Sequence, residues 1–311
     1  MTPISGTNPP SRQPISNNLK GILLMLVSGV AVSCMSGVIL HLVKTQHPFE
    51  VAFFRNALGL IMLLPLLIGK GGLTHLRTGR AGPLVWRGLL SAVSMMCYFY
   101  GVALVPLAEV TALSFMGPLF ATVIAIILLG ERVRLRRTLA LIFGFSGALI
   151  ILRPGFNVIG LGTLLILGSA ASWSVSMIII KMLTKTESAL TQSIYTLVML
   201  TPITALAALP YWHMPNLEEF GWMVLMAALG TAAQLAFTEA FKLADLTALL
   251  PMDFTKLIWS AIVGYLFFAQ TPDIWVFIGG AVIFASTTYI TLREAQVKNK
   301  APVETTPEAS V

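Results

Sequence analysis

The chain has 311 residues, of which 56% are hydrophobic and only 11% are charged, and its mean hydropathy is +0.84. These values exclude an ordinary soluble domain, in which about a quarter of the residues are charged. The formal net charge of +7 does not indicate a nucleic-acid partner, because the lysines and arginines lie between apolar runs and form no basic stripe. The sequence therefore predicts a protein whose solvent is the lipid bilayer.

Polar tails flank the apolar part of the chain. Residues 1–18 are rich in Pro, Ser, Asn and Thr, and are predicted to form a disordered cytoplasmic tail. The next apolar run, Leu19 to Val43, is too long for the core of a signal peptide and lacks a convincing cleavage site. Residues 294–311 are again polar and form a second predicted cytoplasmic tail.

Ten apolar runs lie between these tails, and each is long enough, at about 20 residues, to cross the hydrocarbon layer as a helix. Short connections with helix breakers, such as His47-Pro48 and Thr271-Pro272, separate them. The predicted fold class is an all-α membrane protein with ten transmembrane helices. The predicted spans are 20–43, 49–68, 82–104, 107–130, 136–153, 160–182, 190–209, 220–242, 246–269 and 273–292.

The positive charges predict the orientation of these spans. The fourth span is followed by Glu131 and then by four arginines between Arg132 and Arg137, a cluster typical of a cytoplasmic loop. With both termini cytoplasmic, sixteen of the twenty lysines and arginines fall on the inner side, and only Lys44 and Arg153 fall outside. Omitting one span would invert every later loop, so this asymmetry supports both the number of spans and the cytoplasmic termini.

Two blocks of the first half return in the second half. Residues 21–45 align without gaps on residues 162–186, and residues 86–116 align on residues 222–252. The predicted repeats, 19–155 and 156–293, each contain five spans. An odd number of spans places the second copy upside down, and this inverted arrangement is common in secondary transporters.

With these features the sequence resembles the EamA-like ten-helix proteins of the drug/metabolite transporter superfamily over residues 20–292. One departure is Ala269-Gln270, where many relatives carry Gly-Glu. The resemblance implies transport of small metabolites through a central cavity between the repeats, with alternating access to it. The most specific matches are Pro118, Gly130-Glu131-Arg132, Gly144, Gly147, Arg153-Pro154-Gly155, Gly264-Tyr265, Trp275, Gly279-Gly280 and Arg293-Glu294.

Charged residues inside the spans are the first candidates for a substrate site, because they are costly at membrane depth. Arg55 either attracts an anionic or carboxylate-bearing substrate, or snorkels to the outer interface beside its aromatic neighbours. Asp253 and Lys256 share one face of the ninth span near mid-depth. They form either a structural ion pair or a working pair, in which Asp253 accepts a proton or cation and Lys256 contacts the substrate.

Acids and prolines mark the fourth and ninth spans. Glu109 and Asp245 are repeat-related acids in the first turns of these spans, where the helix dipole favours a cap role over a coupling role. Glu131 is predicted to neutralise neighbouring arginines, and the family resemblance implies a role at an inner gate. Pro118 and Pro251 are predicted to free backbone carbonyls that line a cavity, or to be tolerated through packing.

Aromatic and amide side chains within the spans are candidates for the wall of the cavity, with simple helix packing as the alternative. They are Tyr98, Tyr100, Trp173, Gln234 and Trp259. Small residues, Gly144 and Ala148 in the fifth span and Gly280 in the tenth, permit close helix approach, either in a homodimer or within the chain.

No cofactor, metal site or catalytic motif is predicted. The sequence contains no Gly-x-x-x-x-Gly-Lys-[Ser/Thr], His-Glu-x-x-His or Gly-x-Ser-x-Gly pattern, and Cys34 and Cys97 lack a partner at metal or disulfide spacing. The main hypothesis is a secondary transporter of the bacterial inner membrane that moves an amino-acid-like compound or a drug, with export favoured. Import of a larger metabolite such as S-adenosylmethionine or riboflavin is the alternative, and an intramembrane enzyme or lipid-handling protein is the alternative outside transport.

Overall fold

The computed structural model describes residues 15–69, 81–129, 135–153, 159–183, 189–244 and 246–300. These residues form eleven α-helices, a short 3-10 turn at Leu209–Tyr211 and no strand. The helices are α1 (Ile15–Leu42), α2 (Pro48–Gly69), α3 (Ala81–Val102), α4 (Leu107–Ser114), α5 (Gly117–Leu129), α6 (Leu135–Leu152), α7 (Leu161–Leu183), α8 (Ala189–Ala208), α9 (Leu217–Leu243), α10 (Leu246–Phe268) and α11 (Ile274–Lys300). Since α4 and α5 together occupy the predicted fourth span, the all-α fold with ten spans is confirmed.

Several helices are long and apolar enough to cross a membrane. Within the described ranges, length and composition identify Leu19–Leu42, Pro48–Pro65, Leu107–Ile124, Thr191–Tyr211 and Leu217–Phe237. Three further apolar helices are shorter, Thr138–Leu152, Leu161–Ser176 and Ile274–Ile290. Large apolar side chains on the outside of α6, such as Ile142, Phe143 and Leu149, are exposed, as expected where lipid replaces water as the solvent.

The fourth span is broken near its middle. A turn at residues 115 and 116 separates α4 from α5, and Gly117 and Pro118 follow at the start of α5. Proline has no N–H for the helical ladder and disfavours helical geometry in the residue before it, so the break falls just upstream of Pro118. Pro251 has a different outcome, because α10 continues through it. The two repeats therefore differ at equivalent spans.

The repeats interlock through their first and third helices. α1 packs along α9, and α7 packs along α3. Ser28 of α1 donates a hydrogen bond to the carbonyl oxygen of Ala233 on α9 at 3.0 Å. Ser169 on α7, which aligns with Ser28, accepts from Ser94 of α3 at its carbonyl oxygen, also at 3.0 Å. Each repeat thus supplies the partner of the other's first helix, as expected for inverted copies.

Glycines bring α6 and α11 into backbone contact. A Cβ atom at Gly147 would lie 2.7 Å from the carbonyl oxygen of Gly279, and one at Gly279 would meet the carbonyl oxygen of Gly147. A Cβ at Gly144 would lie 2.6 Å from Leu119, and one at Gly280 would lie 2.9 Å from Leu257. These small residues therefore serve packing within the chain, and they give no support to a homodimer contact.

Candidate substrate-binding site

Arg55 points into the helix bundle. It lies on α2 about two turns from Pro48, and a Cβ atom at Gly230 of α9 would lie 3.3 Å from its Nε atom and 3.5 Å from its Nη2 atom. The neighbouring side chain, Phe54, has its ring centroid 6.5 Å from that of Phe220, which lies about three turns nearer the start of α9. The guanidinium is thus directed away from this aromatic contact and towards the bundle interior. This geometry does not fit the snorkelling alternative.

A network of polar side chains holds Arg55, and no carboxylate in the described part of the chain compensates its charge. Arg55 Nη1 donates to Asn56 Oδ1 at 3.3 Å. Asn56 is buried, and its amide nitrogen reaches Thr204 Oγ1 of α8 at 3.4 Å and Met95 Sδ of α3 at 3.2 Å. No carboxylate among the described residues forms an ion pair with Arg55. Its guanidinium can therefore receive an anionic group by paired hydrogen bonds.

Asp253 and Lys256 form the ion pair that their spacing on α10 allows. Their side chains are 27% and 16% exposed. Lys256 also packs against α1, where a Cβ at Gly29 would lie 3.2 Å from its Cγ, and its Nζ atom lies 5.4 Å from the ring centroid of Phe237. Apart from Lys256, no group in the described ranges bonds to the buried Oδ1 atom of Asp253. The ion pair is therefore present in the structure. The roles of Asp253 as an acceptor of a proton or cation and of Lys256 as a substrate contact stay predictions.

Hydroxyl groups link this ion pair to the broken span. Ser33 of α1 lies 3.3 Å from the carbonyl oxygen of Lys256 and 3.3 Å from Ser260 Oγ. Ser260 in turn lies 2.6 Å from Thr111 Oγ1 on α4. These polar contacts thus join α1, α10 and α4.

The structure separates the two tyrosine candidates. Tyr98 of α3 lies near the Arg55 network. Its hydroxyl is 2.9 Å from Ser36 Oγ on α1. The preceding residue, Met35, lies beside Gly230, as Arg55 does. Tyr100 instead joins an aromatic cluster near the loops, with its ring centroid 6.0 Å from that of His47. The two tyrosines therefore lie in different parts of the bundle and do not line the same surface.

The remaining wall candidates lie on three different helices. Gln234 on α9 is one turn from Gly230 and half-buried, and it lies on the same side of the helix. Trp259 on α10 is one turn from Lys256 and 36% exposed, whereas Trp173 on α7 is 38% exposed. Their contact with a substrate stays a prediction.

Glu109 lies in the first turn of α4, but it does not cap this helix by a hydrogen bond. The N-cap residue is Pro106, which has no N–H group for the carboxylate to accept from. The Glu109 carboxyl group lies near the Thr163 hydroxyl and the Arg153 guanidinium. Glu109 can therefore stabilise the start of α4 only through the electrostatic interaction of its carboxylate with the helix dipole. Glu131 and Asp245 lie outside the described residues.

At one end of the bundle, contacts join the first repeat to the second. This end, the loop face, comprises residues 43–47, 103–106, 209–216 and 269–273. The contacts are a hydrogen bond of 2.9 Å from Gln46 to Glu219, stacked rings of His47 and Tyr211 at 3.8 Å, an ion pair of Arg153 with Asp273, and Lys44 Nζ at 5.1 Å from the Phe268 ring. Burial lowers the pKa of His47, although the nearby negative charge of Glu50 acts in the opposite direction. The lowered pKa favours a neutral ring for stacking at pH 7. The repeats are thus closed together at the loop face.

At Ala269-Gln270, where the sequence departs from its relatives, the chain carries alanine at a backbone conformation that favours glycine. Ala269 follows the end of α10 with a φ of 50°, in the left-handed region that favours glycine. The Oε1 atom of Gln270 accepts a hydrogen bond from the backbone N–H of Leu107 at 3.0 Å. Gln270 thereby satisfies a backbone donor at the start of α4, so this position links the two repeats through an amide.

Sequence reasoning missed Arg87. Arg87 is one of the sixteen cations that the charge pattern assigns to the inner side, but it lies within α3 and is only 5% exposed. Its position inside the predicted third span was the available signal, since any charge within a span is a candidate for function.

The comparison with known families agrees with this architecture. The EamA-like transporter family matches residues 19–153 and 160–292, which together cover most of the chain. The chain belongs to the EamA-like transporter family. The named relatives are all transporters of small molecules. This chain is likewise a multi-pass membrane protein that transports small molecules.

Individual relatives of this EamA-like protein have different substrates. The riboflavin transporter of Vibrio cholerae is 32% identical and covers 89% of this chain and 95% of its own length. The S-adenosylmethionine uptake transporter of Rickettsia bellii is 32% identical and covers 89% and 94%. The pseudopaline exporter CntI of Pseudomonas aeruginosa is 29% identical and covers 85% and 93%. One solved crystal structure covers 91% of this chain and 99% of its own, with a TM-score of 0.59 and 18% identity, which shows the fold alone.

Proposed function

We propose that this protein is a secondary transporter that takes up a metabolite bearing a carboxylate, by alternating access in the bacterial inner membrane with both termini cytoplasmic. The single observation that carries the proposal is the guanidinium of Arg55, which is directed into the bundle between α2 and α9 and has no ion-pair partner among the described residues. A buried positive charge that no described carboxylate neutralises favours a substrate that brings its own negative charge. The Tyr98 hydroxyl, held by Ser36, adds a polar group on α3.

The direction of transport is proposed from the relatives. The sequence alone favoured export, whereas the Rickettsia bellii relative is named for uptake and is 32% identical over most of this chain. S-adenosylmethionine carries an amino-acid carboxylate that a guanidinium can bind, and riboflavin carries no carboxylate. The Arg55 geometry therefore favours an S-adenosylmethionine-like substrate over a riboflavin-like one. The relative named as an exporter keeps efflux as the second candidate.

Replacing Arg55 tests this proposal. In proteoliposomes, we expect uptake of labelled S-adenosylmethionine to fall at least about tenfold in Arg55→Met, because a hydrogen-bonded charge pair is lost. Arg55→Lys should keep part of the activity, since it retains the charge but not the paired donors. The matched control is Lys20→Met, which removes an exposed cation near the start of α1. Unchanged uptake in Arg55→Met, or uptake of riboflavin alone, would contradict the proposed substrate class.

Alternating access requires the loop face to open. We expect that linking residue 46 to residue 219 stops uptake, because these side chains join the two repeats at 2.9 Å. The variant is Gln46→Cys with Glu219→Cys in a chain that lacks Cys34 and Cys97, treated with a reducible bismaleimide. Each single-cysteine variant serves as the control, and reductant should restore the flux. Full flux in the cross-linked protein would exclude opening at this face.

A further inference from the structure

Arg87 is a buried cation for which the described residues supply no charged partner. It lies on α3 about two turns from Ala81, and 5% of its surface is exposed. Its Nη1 atom donates to Gln192 Oε1 of α8 at 3.0 Å, and its buried Nε atom has no hydrogen-bond partner. Within the described ranges no carboxylate forms an ion pair with it. The side-on edge of the guanidinium, formed by Nε and Nη2, therefore has at least one donor, Nε–H, that the described residues do not use.

The fold itself does not require a charge at this position. Residue 87 aligns with Met223 in the second repeat, and that methionine is fully buried. An apolar side chain thus satisfies the packing at the equivalent place. An arginine that only orients the protein would extend its head to the lipid headgroups, and burial keeps Arg87 from doing so. A buried charge that no described carboxylate neutralises is costly, so its presence here indicates a ligand.

Polar groups on α3 connect Arg87 with the surroundings of Arg55. Ser91 lies one turn along α3 and is 3.0 Å from Ser176 Oγ. Ser94 lies about one turn farther, next to Met95, which contacts the Asn56 amide of the Arg55 network. Arg87 and Met95 are about 12 Å apart along the helix axis. The two arginines therefore stand at separate levels of the bundle.

We propose that Arg87 forms a second anion site of the transport path, which binds the carboxylate of the substrate through Nε and Nη2 at the level opposite the loop face. This proposal rests on the proposed function, and it adds a site to the one at Arg55. Gln192 holds Nη1 and thereby keeps the side-on edge facing one direction. A carboxylate leaving Arg55 is received by Arg87, so the charge of the substrate is neutralised at both levels.

Acetate binding tests the site without any need for transport. The protein carries Arg55→Met, so that Arg55 contributes no binding, and its thermal unfolding is followed in neutral detergent as acetate replaces chloride at constant ionic strength. We expect acetate to raise the unfolding temperature and the added Arg87→Met to weaken its apparent affinity about tenfold. Arg87→Lys should also weaken acetate binding, since it keeps the charge and loses the side-on fork. If Arg87→Met fails to fold, Arg87→Lys alone decides the result.

The same measurement in lipid nanodiscs separates two sources of the anion. Stabilisation by acetate in pure phosphatidylcholine supports a site for a soluble carboxylate. Stabilisation that depends on added phosphatidylglycerol and not on acetate would assign Arg87 to a lipid headgroup and overturn the proposal. Equal acetate dependence with and without Arg87 would overturn it as well. Acetate binding at Arg87 together with absent flux in every assay would reject the proposed function while leaving the site intact.

Discussion

Asp253→Asn and Lys256→Ala should each abolish substrate flux in proteoliposomes while the protein still folds. Each variant removes one half of the ion pair on α10 and leaves the other polar group partly buried. We expect a loss of about 2 kcal/mol in the free energy of unfolding, less than for a fully buried pair, because both side chains retain some solvent contact. Flux and thermal stability are measured on the same preparations.

A double variant separates the structural role from the working role of this pair. Asp253→Asn with Lys256→Gln carries no charge, so it should recover most of the stability that either single variant loses. If Asp253 accepts a proton or cation during transport, flux in the double variant stays absent. The control is Glu218→Gln, which removes an exposed carboxylate in the first turn of α9. Normal flux in both single variants would remove Asp253 and Lys256 from the mechanism.

Gly279→Val should destabilise the protein strongly, and more than either Gly279→Ala or Gly168→Ala. The added side chain would meet the carbonyl oxygen of Gly147 and the side chain of Ile151, and a backbone atom cannot rotate away as a side chain can. We expect a cost of about 3 kcal/mol or more, because overpacking here forces α6 and α11 apart. The measurement is the unfolding temperature in detergent, followed by size-exclusion chromatography of the heated sample.

A matched pair of alanine variants tests the cause of this effect. Gly279→Ala adds one methyl group at the backbone contact, whereas Gly168→Ala adds one on α7 where nothing lies within 4 Å. Gly168→Ala should be neutral or stabilising by up to about 1 kcal/mol, since alanine favours the helix. Equal unfolding temperatures for the two variants would show that α6 and α11 can separate without cost.

The sequence alone predicted the architecture because the bilayer restricts the choices. A segment that crosses hydrocarbon must satisfy its backbone internally, so each long apolar run predicts a helix. The aligned serines Ser28 and Ser169 belong to the two sequence blocks that predicted the repeats, and in the structure each forms a hydrogen bond with the third helix of the other repeat. The i, i+3 spacing of Asp253 and Lys256 was sufficient to predict their pairing, since both lie on one helix.

Tertiary structure decided everything that depends on side-chain direction and on contacts between distant helices. Periodicity placed Arg55 and Tyr98 in spans, but only the packing of α9 and α1 shows that Arg55 faces Gly230 and that Tyr98 meets Ser36, while Tyr100 lies in another cluster. It also placed Arg87 inside the protein. Hydropathy reports the average environment of a whole segment, whereas the partner of one charged group depends on which neighbouring helix stands opposite it.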